Sequence, residues 1–289
     1  MNKRLNYQIK LTVYIMILVS LNYVNTMQQE KANQESHLKT FLKDIVVGSL
    51  TGISEVTVNQ PLVGIKNALQ QSQSIEPKKL YKGYCVNAIS MAPITAIQVC
   101  ANSIFQRILS NGKDLSIKDK ILSAFLAGAI SSLVSSPSEL IMIKQQNYGK
   151  NFYQTLKNLL KEKKIRSLTR GIVPTAFRDG GFSTGYLALS QIISKELEKV
   201  TDHQNKLLGG VLAGILSAIV TQPFDTIKTQ MQAHDQNLTT TLRTYDQEGF
   251  KTLFKGLIPR TTRVMMAIPL MSIISNKLSN SNIIKLFEK

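Results

Sequence analysis

QPFDTIKTQMQ, residues 222–232, sets a proline, an aspartate and a lysine inside a segment that otherwise reads as an apolar helix. Two other stretches repeat it: QPLVGIKNALQ (60–70) and SPSELIMIKQQ (136–146). Their prolines, Pro61, Pro137 and Pro223, lie 76 and 86 residues apart, a period that marks an internal repeat. The register extends well beyond the proline. Nine residues after each stands a glutamine: Gln70, Gln146 and Gln232. Nine before each stands a glycine (Gly52, Gly128, Gly214), and thirteen before a small residue (Gly48, Ala124, Gly210). Small residues four apart let helix backbones approach closely. A second string follows each first one: LYKG (80–83), LTRG (168–171) and EGFKTLFKG (248–256), closing on Gly83, Gly171 and Gly256. A further apolar, helix-like segment follows each closing glycine.

Composition narrows the function classes. The 289 residues are 43% hydrophobic, enough for a full core or several membrane spans, although the mean hydropathy is only −0.01. Thirty-five Lys and Arg face 18 Asp and Glu, and a net charge of +17 points to an anionic partner. Cys85 and Cys100 have neither metal nor disulfide-framework spacing. His37, His203 and His234 are scattered, and no nucleophile elbow or phosphate loop is present. The sequence therefore offers an enzyme no constellation, and no metal or cofactor is expected. At the N-terminus, an acid-free stretch holds the apolar run LTVYIMILV (11–19) after Lys3, Arg4 and Lys10. It lacks a small-residue cleavage site and is short for a span. Residues 1–39 read as an extension of unassigned role, with a polar linker over 28–39.

Taken together, these strings resemble the mitochondrial carrier family, whose signature is PX[DE]XX[KR]X[KR] and then [DE]GXXXX[YWF][KR]G, three times over. The resemblance covers about residues 40–285. The third repeat matches best, with Pro223, Asp225, Lys228, Glu248, Gly249, Phe254, Lys255 and Gly256 all in place. The first departs at Val63, where an acid is expected, and the second at Met142 and Thr169, where a base and an aromatic are expected. The resemblance implies an all-α membrane protein with six transmembrane helices in three helix pairs of pseudo-threefold symmetry. The repeats would occupy 40–118, 119–204 and 205–289. The spans are expected near 41–70, 84–110, 120–147, 172–198, 206–232 and 257–280, with short matrix helices near 73–81, 152–163 and 238–248. The proposed matrix segments carry 13 Lys and Arg against 6 on the other side, as the positive-inside rule asks.

The same resemblance assigns roles to residues. Family acids and bases pair between successive proline strings to close a matrix gate. Here Glu139 is expected on Lys228 and Asp225 on Lys66, with apolar Val63 against Met142 and with Gln70, Gln146 and Gln232 bracing from below. Losing both members of one pair together avoids a lone buried charge. The outer gate has no charged counterpart, since Ser103, Gln191 and Ser275 stand there. Family solute contact points fall on Ser90, Arg178 and Arg263, then Met91, Asp179 and Val264, then Gln98, Tyr186 and Met271. Arginine grips carboxylate or phosphate through two parallel hydrogen bonds. Cardiolipin would sit at helix starts beside Lys82-Gly83, Arg170-Gly171 and Lys255-Gly256.

The expected function is a monomeric solute carrier of the mitochondrial inner membrane, working by alternating access. Two arginines and the +17 charge favour an adenine nucleotide such as ATP or ADP, or a similar anion. The adjacent Arg178-Asp179 favours an amino acid or S-adenosylmethionine instead. The chain also loosely resembles bacterial effector carriers delivered to host mitochondria, which would place it in a host cell's membrane. A different class, a basic helical protein coating nucleic acid or a membrane surface, predicts lysines with interleaved aromatics on one exposed face. Lysines here gather between the apolar segments, aromatics are 7%, and tryptophan is absent, so no nucleic-acid partner is expected.

Overall fold

Each apolar segment of the repeat register is helical in the computed structural model, which describes residues 34–279 apart from 111, 113, 163–167 and 202–205. The N-terminal apolar run 11–19 lies outside the described residues. The long helices are α1 (Gln34–Gln70), α2 (Tyr84–Ser110) and α3 (Ile117–Tyr148). A short α4 (Phe152–Glu162) follows. Next comes a continuous helical run made of α5 (Ile172–Thr184), a π-helical turn (Gly185–Leu189) and α6 (Ser190–Thr201). The chain then forms α7 (Lys206–Ala233), a short α8 (Leu238–Glu248) and α9 (Leu257–Ser279). No strand occurs among the described residues.

Two expectations change. Helix α1 already begins at Gln34, inside the segment read as a linker, where Glu35, Leu38 and Lys39 are good helix formers. The helix expected over 73–81 shrinks to one 3-10 turn, Pro77–Lys79. Pro77 can start a helix but not continue one, and Gly83 ends the stretch soon after.

Local chemistry sets the ends. Ser116 caps α3 through a reciprocal capping box with Asp119, and Gly149 ends it in the left-handed conformation. The three closing glycines share one geometry, with φ of +82° at Gly83, +79° at Gly171 and +80° at Gly256. A side chain there would be strained, which accounts for the recurrence of glycine. The carbonyl just before each accepts a hydrogen bond from the residue preceding the proline of the same repeat. Gln60 donates to Lys82 O at 3.4 Å, Ser136 to Arg170 O at 3.4 Å and Gln222 to Lys255 O at 2.7 Å. The two strings of each repeat are thus tied to one another, and their sequence spacing records that tie.

Residues Gly48–Lys277 pack as one unit. Within it each long helix touches the next. Gly52 faces Met91 of α2, Gly128 faces the backbone of Asp179 in α5, and Gly214 faces Val264 of α9. Gln98 of α2 donates to Ser131 of α3, and Gly209 of α7 lies against Ser194 of α6. Arg263 of α9 returns to Glu55 of α1. Burial is inverted relative to a water-soluble protein. Asn59, Gln60, Gln222 and Lys228 are at most 1% exposed, whereas Val220, Ile89 and Ile258 are 70%, 74% and 79% exposed. An apolar exterior around a polar interior suits hydrocarbon as solvent. Four helical segments are long and apolar enough to cross a membrane: α2, α3, α7 and Phe250–Leu278. Helix α1 and the 172–201 run are not among them; α1 carries Asp44, Glu55 and Lys66 along its length.

A Cβ at Gly128 would stand 2.3 Å from the Asp179 carbonyl oxygen, whereas one at Gly210 would make only a 3.5 Å contact with Ile268. Gly128→Ala is therefore expected to destabilise the detergent-solubilised protein by about 1–3 kcal/mol through overpacking. Gly210→Ala should melt within a degree or so of the parent in the same thermal scan, there being ordinary contact distance to spare.

Candidate functional site

The charges of the proline strings converge on one buried cluster. Asp225, 1% exposed on α7, accepts from Lys66 Nζ at 2.8 Å, Gln70 Nε2 at 2.8 Å and Arg178 Nη1 at 3.1 Å. Lys228 Nζ and Arg260 Nη1 stand 3.9 and 4.0 Å away. Glu139 of α3 accepts from Lys228 Nζ at 2.6 Å. Both pairs expected from the strings are thus in contact, each joining helices of different repeats.

Arg178 departs from expectation. It is only 8% exposed and binds three carboxylates, rather than standing in water as a free cation. Its Nη1 donates to both oxygens of Glu139, at 2.8 and 2.7 Å, as well as to Asp225. Its Nε reaches Asp179 Oδ1 at 2.8 Å. A buried guanidinium needs such partners because an unpaired charge in low dielectric is costly. Asp179 in turn accepts from Ser135 Oγ, and its backbone seats on Gly128. Met91 and Val264, at the equivalent register positions, seat on Gly52 and Gly214. This set therefore faces the glycine of its paired helix, because one residue of helix rotates a side chain by about 100°.

The uncharged seam also differs from the simple apolar contact expected. Val63 and Met142 are 4% and 3% exposed. Met142 lies beneath Gly83, and its sulfur is 3.9 Å from Gln60 Nε2. The polar link across this seam is neutral, Asn67 Nδ2 to Gln146 Oε1 at 2.7 Å. Of the three bracing glutamines only Gln70 touches a gate acid. Gln146 donates to Lys82 O at 3.3 Å, and Gln232 to Ser136 O at 3.0 Å and Arg170 O at 3.2 Å. The side-chain amides reach backbone carbonyls exposed by the closing-glycine turns before they reach the acids.

Among the other expected solute contacts, Ser90 is buried and donates to its own helix at Asn87 O. Tyr186 donates to Gln98 Oε1 at 2.9 Å, and Gln98 continues to Ser131 at 3.0 Å. Arg263 makes a two-pronged pair with Glu55, Nε and Nη2 each at 2.8 Å from an oxygen. Glu55 was not anticipated, although a lone acid six residues before Pro61 in an apolar helix is a readable signal. Arg260, held by Gln222 Oε1 at 3.1 Å and Thr221 Oγ1 at 2.7 Å, was missed as well. The side chain of Arg170, beside the helix start expected to hold cardiolipin, pairs with Asp235, which also takes Lys144 Nζ at 2.9 Å. Lys255 Nζ donates to Ser72 Oγ at 2.9 Å. Ser103, at the outer-gate position, bonds its own helix at Val99 O.

In sum, four carboxylates (Glu55, Glu139, Asp179, Asp225) meet five cations (Lys66, Arg178, Lys228, Arg260, Arg263) through direct contacts. Such an interior can release and re-form charged hydrogen bonds, and no cluster of His, Cys, Asp and Glu that could hold a metal ion occurs among the described residues.

The mitochondrial carrier protein family model matches residues 113–201 and 199–280. The chain is 28% identical over 256 residues to mitochondrial substrate carrier family protein X of Dictyostelium discoideum, covering 75% of this chain and 84% of that one. It is 25% identical over 287 residues to the mitochondrial 2-oxodicarboxylate carrier 2 of Saccharomyces cerevisiae, covering 83% and 94%. It is 27% identical over 297 residues to that yeast's mitochondrial aspartate-glutamate transporter, covering 83% of this chain and 33% of the transporter.

Asp225→Asn should remove a charge that Lys66 and Arg178 contact directly, destabilising the protein by about 3–5 kcal/mol. Glu196→Gln, breaking the exposed Lys199–Glu196 pair, should shift stability by about 0.5 kcal/mol or less in the same detergent melts. Val63→Glu with Met142→Lys should express and melt closer to the parent than either single substitution, because each single change strands a charge in the buried seam.

Proposed function

The chain belongs to the mitochondrial carrier family, and on that footing we propose that it moves a small carboxylate-bearing metabolite across the mitochondrial inner membrane by alternating access. Six spans, α1, α2, α3, the 172–201 run, α7 and α9, would form three helix pairs about a pseudo-threefold axis. The short helices α4 and α8 would lie on the matrix side. The Glu139–Lys228 and Asp225–Lys66 pairs form the matrix gate, with Arg178 clamping both acids and the Asn67–Gln146 bond standing in the uncharged seam. A gate made of these pairs would be closed on the matrix side in the contacts described above.

The observation that carries the substrate class is the pairing of interior charge among the described residues: five cations meet four carboxylates, and Lys144, also buried, pairs with Asp235. A nucleoside triphosphate would need several unpaired cations, and each arginine here already contacts or closely approaches an acid. Part of the +17 net charge, a net +6 in residues 149–171, lies between the proposed spans, where it suits anionic lipid and orientation in the membrane. Cardiolipin is the fitting lipid at the helix starts beside Gly83 and Gly256, with a monomer as the working unit. One or two carboxylates would exchange for Glu139 or Glu55 on Arg178 and Arg263, the groups able to hold them through paired hydrogen bonds. The names of the yeast relatives lend weight to this size class.

The test is uptake into liposomes by the purified full chain of labelled dicarboxylates, 2-oxodicarboxylates, acidic amino acids, S-adenosylmethionine, ADP and ATP. Small carboxylates should enter and nucleotides should not. Arg263→Ala should lower uptake at least a hundredfold while the protein still melts cooperatively. Preferential uptake of ATP or ADP would overturn this reading in favour of a nucleotide carrier.

A further inference from the structure

Two interior acids, Glu55 and Asp179, lie outside the proline strings, and Glu55 is the one on a proline-bearing helix. It is 3% exposed on α1, and its side chain contacts Arg263 across the α1–α9 interface. Thr51 and Asn59 stand one turn to either side, at 3% and 0% exposure, so that three oxygen-bearing side chains share one helix stripe. Two of their oxygens, Thr51 Oγ1 and Asn59 Oδ1, are buried without a hydrogen-bond partner. Asn59 uses only its amide nitrogen, donating to Glu55 Oε1 at 3.2 Å. Buried oxygens left unpaired are uncommon and call for an explanation. The stripe thus combines a carboxylate paired with one arginine and two flanking acceptors with spare capacity.

A primary ammonium has three N–H donors and needs three acceptors around one positive charge. Resting on the small-carboxylate reading above, we propose that Thr51, Glu55 and Asn59 receive the α-amino group of the transported solute, so that the preferred substrate is an amino acid rather than the corresponding oxo acid. On binding, Arg263 passes from Glu55 to the solute carboxylate, and Glu55 passes from Arg263 to the solute ammonium. Every charge leaves one partner for another, and none is stranded. An oxo acid of the same skeleton would take Arg263 but leave the Glu55 carboxylate buried and alone, a penalty that falls on the wrong solute.

The experiment compares matched pairs in liposomes holding the full chain: glutamate against 2-oxoglutarate, and 2-aminoadipate against 2-oxoadipate. The amino member should enter with at least tenfold higher kcat/KM. Glu55→Gln should erase or reverse that ratio. Thr51→Val, which removes an oxygen with no partner in the fold, should narrow it. Equal or faster entry of the oxo member into unmodified protein overturns this inference and leaves the small-carboxylate reading standing. Uptake of neither member of any pair overturns this inference, and entry of nucleotides but of no small carboxylate in the wider panel overturns the small-carboxylate reading as well. A ratio unmoved by both substitutions in folded protein removes these residues from the amino-group site.

Discussion

A carboxylate cannot stay ionised in a low-dielectric interior unless cations and hydrogen-bond donors meet it, and Asp225 is where this structure answers that constraint most fully. It is reached from α1 by Lys66 and Gln70 and from α5 by Arg178, with Lys228 of its own helix and Arg260 of α9 close by. Four helical segments are therefore referenced to one side chain. A pair of unit charges 4 Å apart is worth about 4 kcal/mol at an effective dielectric of 20. That scale holds helices together and is small enough to be exchanged for equivalent contacts with a solute.

The glycines serve the same end by different means. Gly52, Gly128 and Gly214 bring each proline-bearing helix against its partner, and the closing glycines turn the chain so that Lys82, Arg170 and Lys255 present carbonyls to the strings before them. Backbone donors and acceptors are thus satisfied inside the protein, which is the condition for an apolar exterior in lipid. The exposure of Ile89, Val220 and Ile258 beside the burial of Gln60 and Lys228 follows from that single condition.

On the reading proposed above, function would rest on exchange of partners rather than on a free charge. Arg178 and Arg263 each stand against acids, so a solute gains affinity only to the extent that it replaces what it displaces. This favours solutes whose charges mirror the interior, and it ties binding at Arg178 to the state of Glu139 and Asp225. The seam of Val63 and Met142, joined by the neutral Asn67–Gln146 bond, would leave one side of the proposed gate without a charge to release.

By itself the sequence determined the helices, their order and their pairing. Proline strings, closing glycines and small residues recur at fixed offsets, and those offsets are dictated by local geometry: a positive φ, a missing donor, a close backbone approach. The pairs Glu139–Lys228 and Asp225–Lys66 were legible through the resemblance to the carrier family, whose proline strings carry both partners. What only the tertiary structure decided is where the side chains outside that register point. Arg178 turns onto the gate acids, Asp179 seats on Gly128 and Ser135, Gln146 and Gln232 go to carbonyls, and Glu55 takes Arg263. Those choices depend on which charge lies nearest once six helical segments have packed, and no spacing along one chain records a distance across the interior.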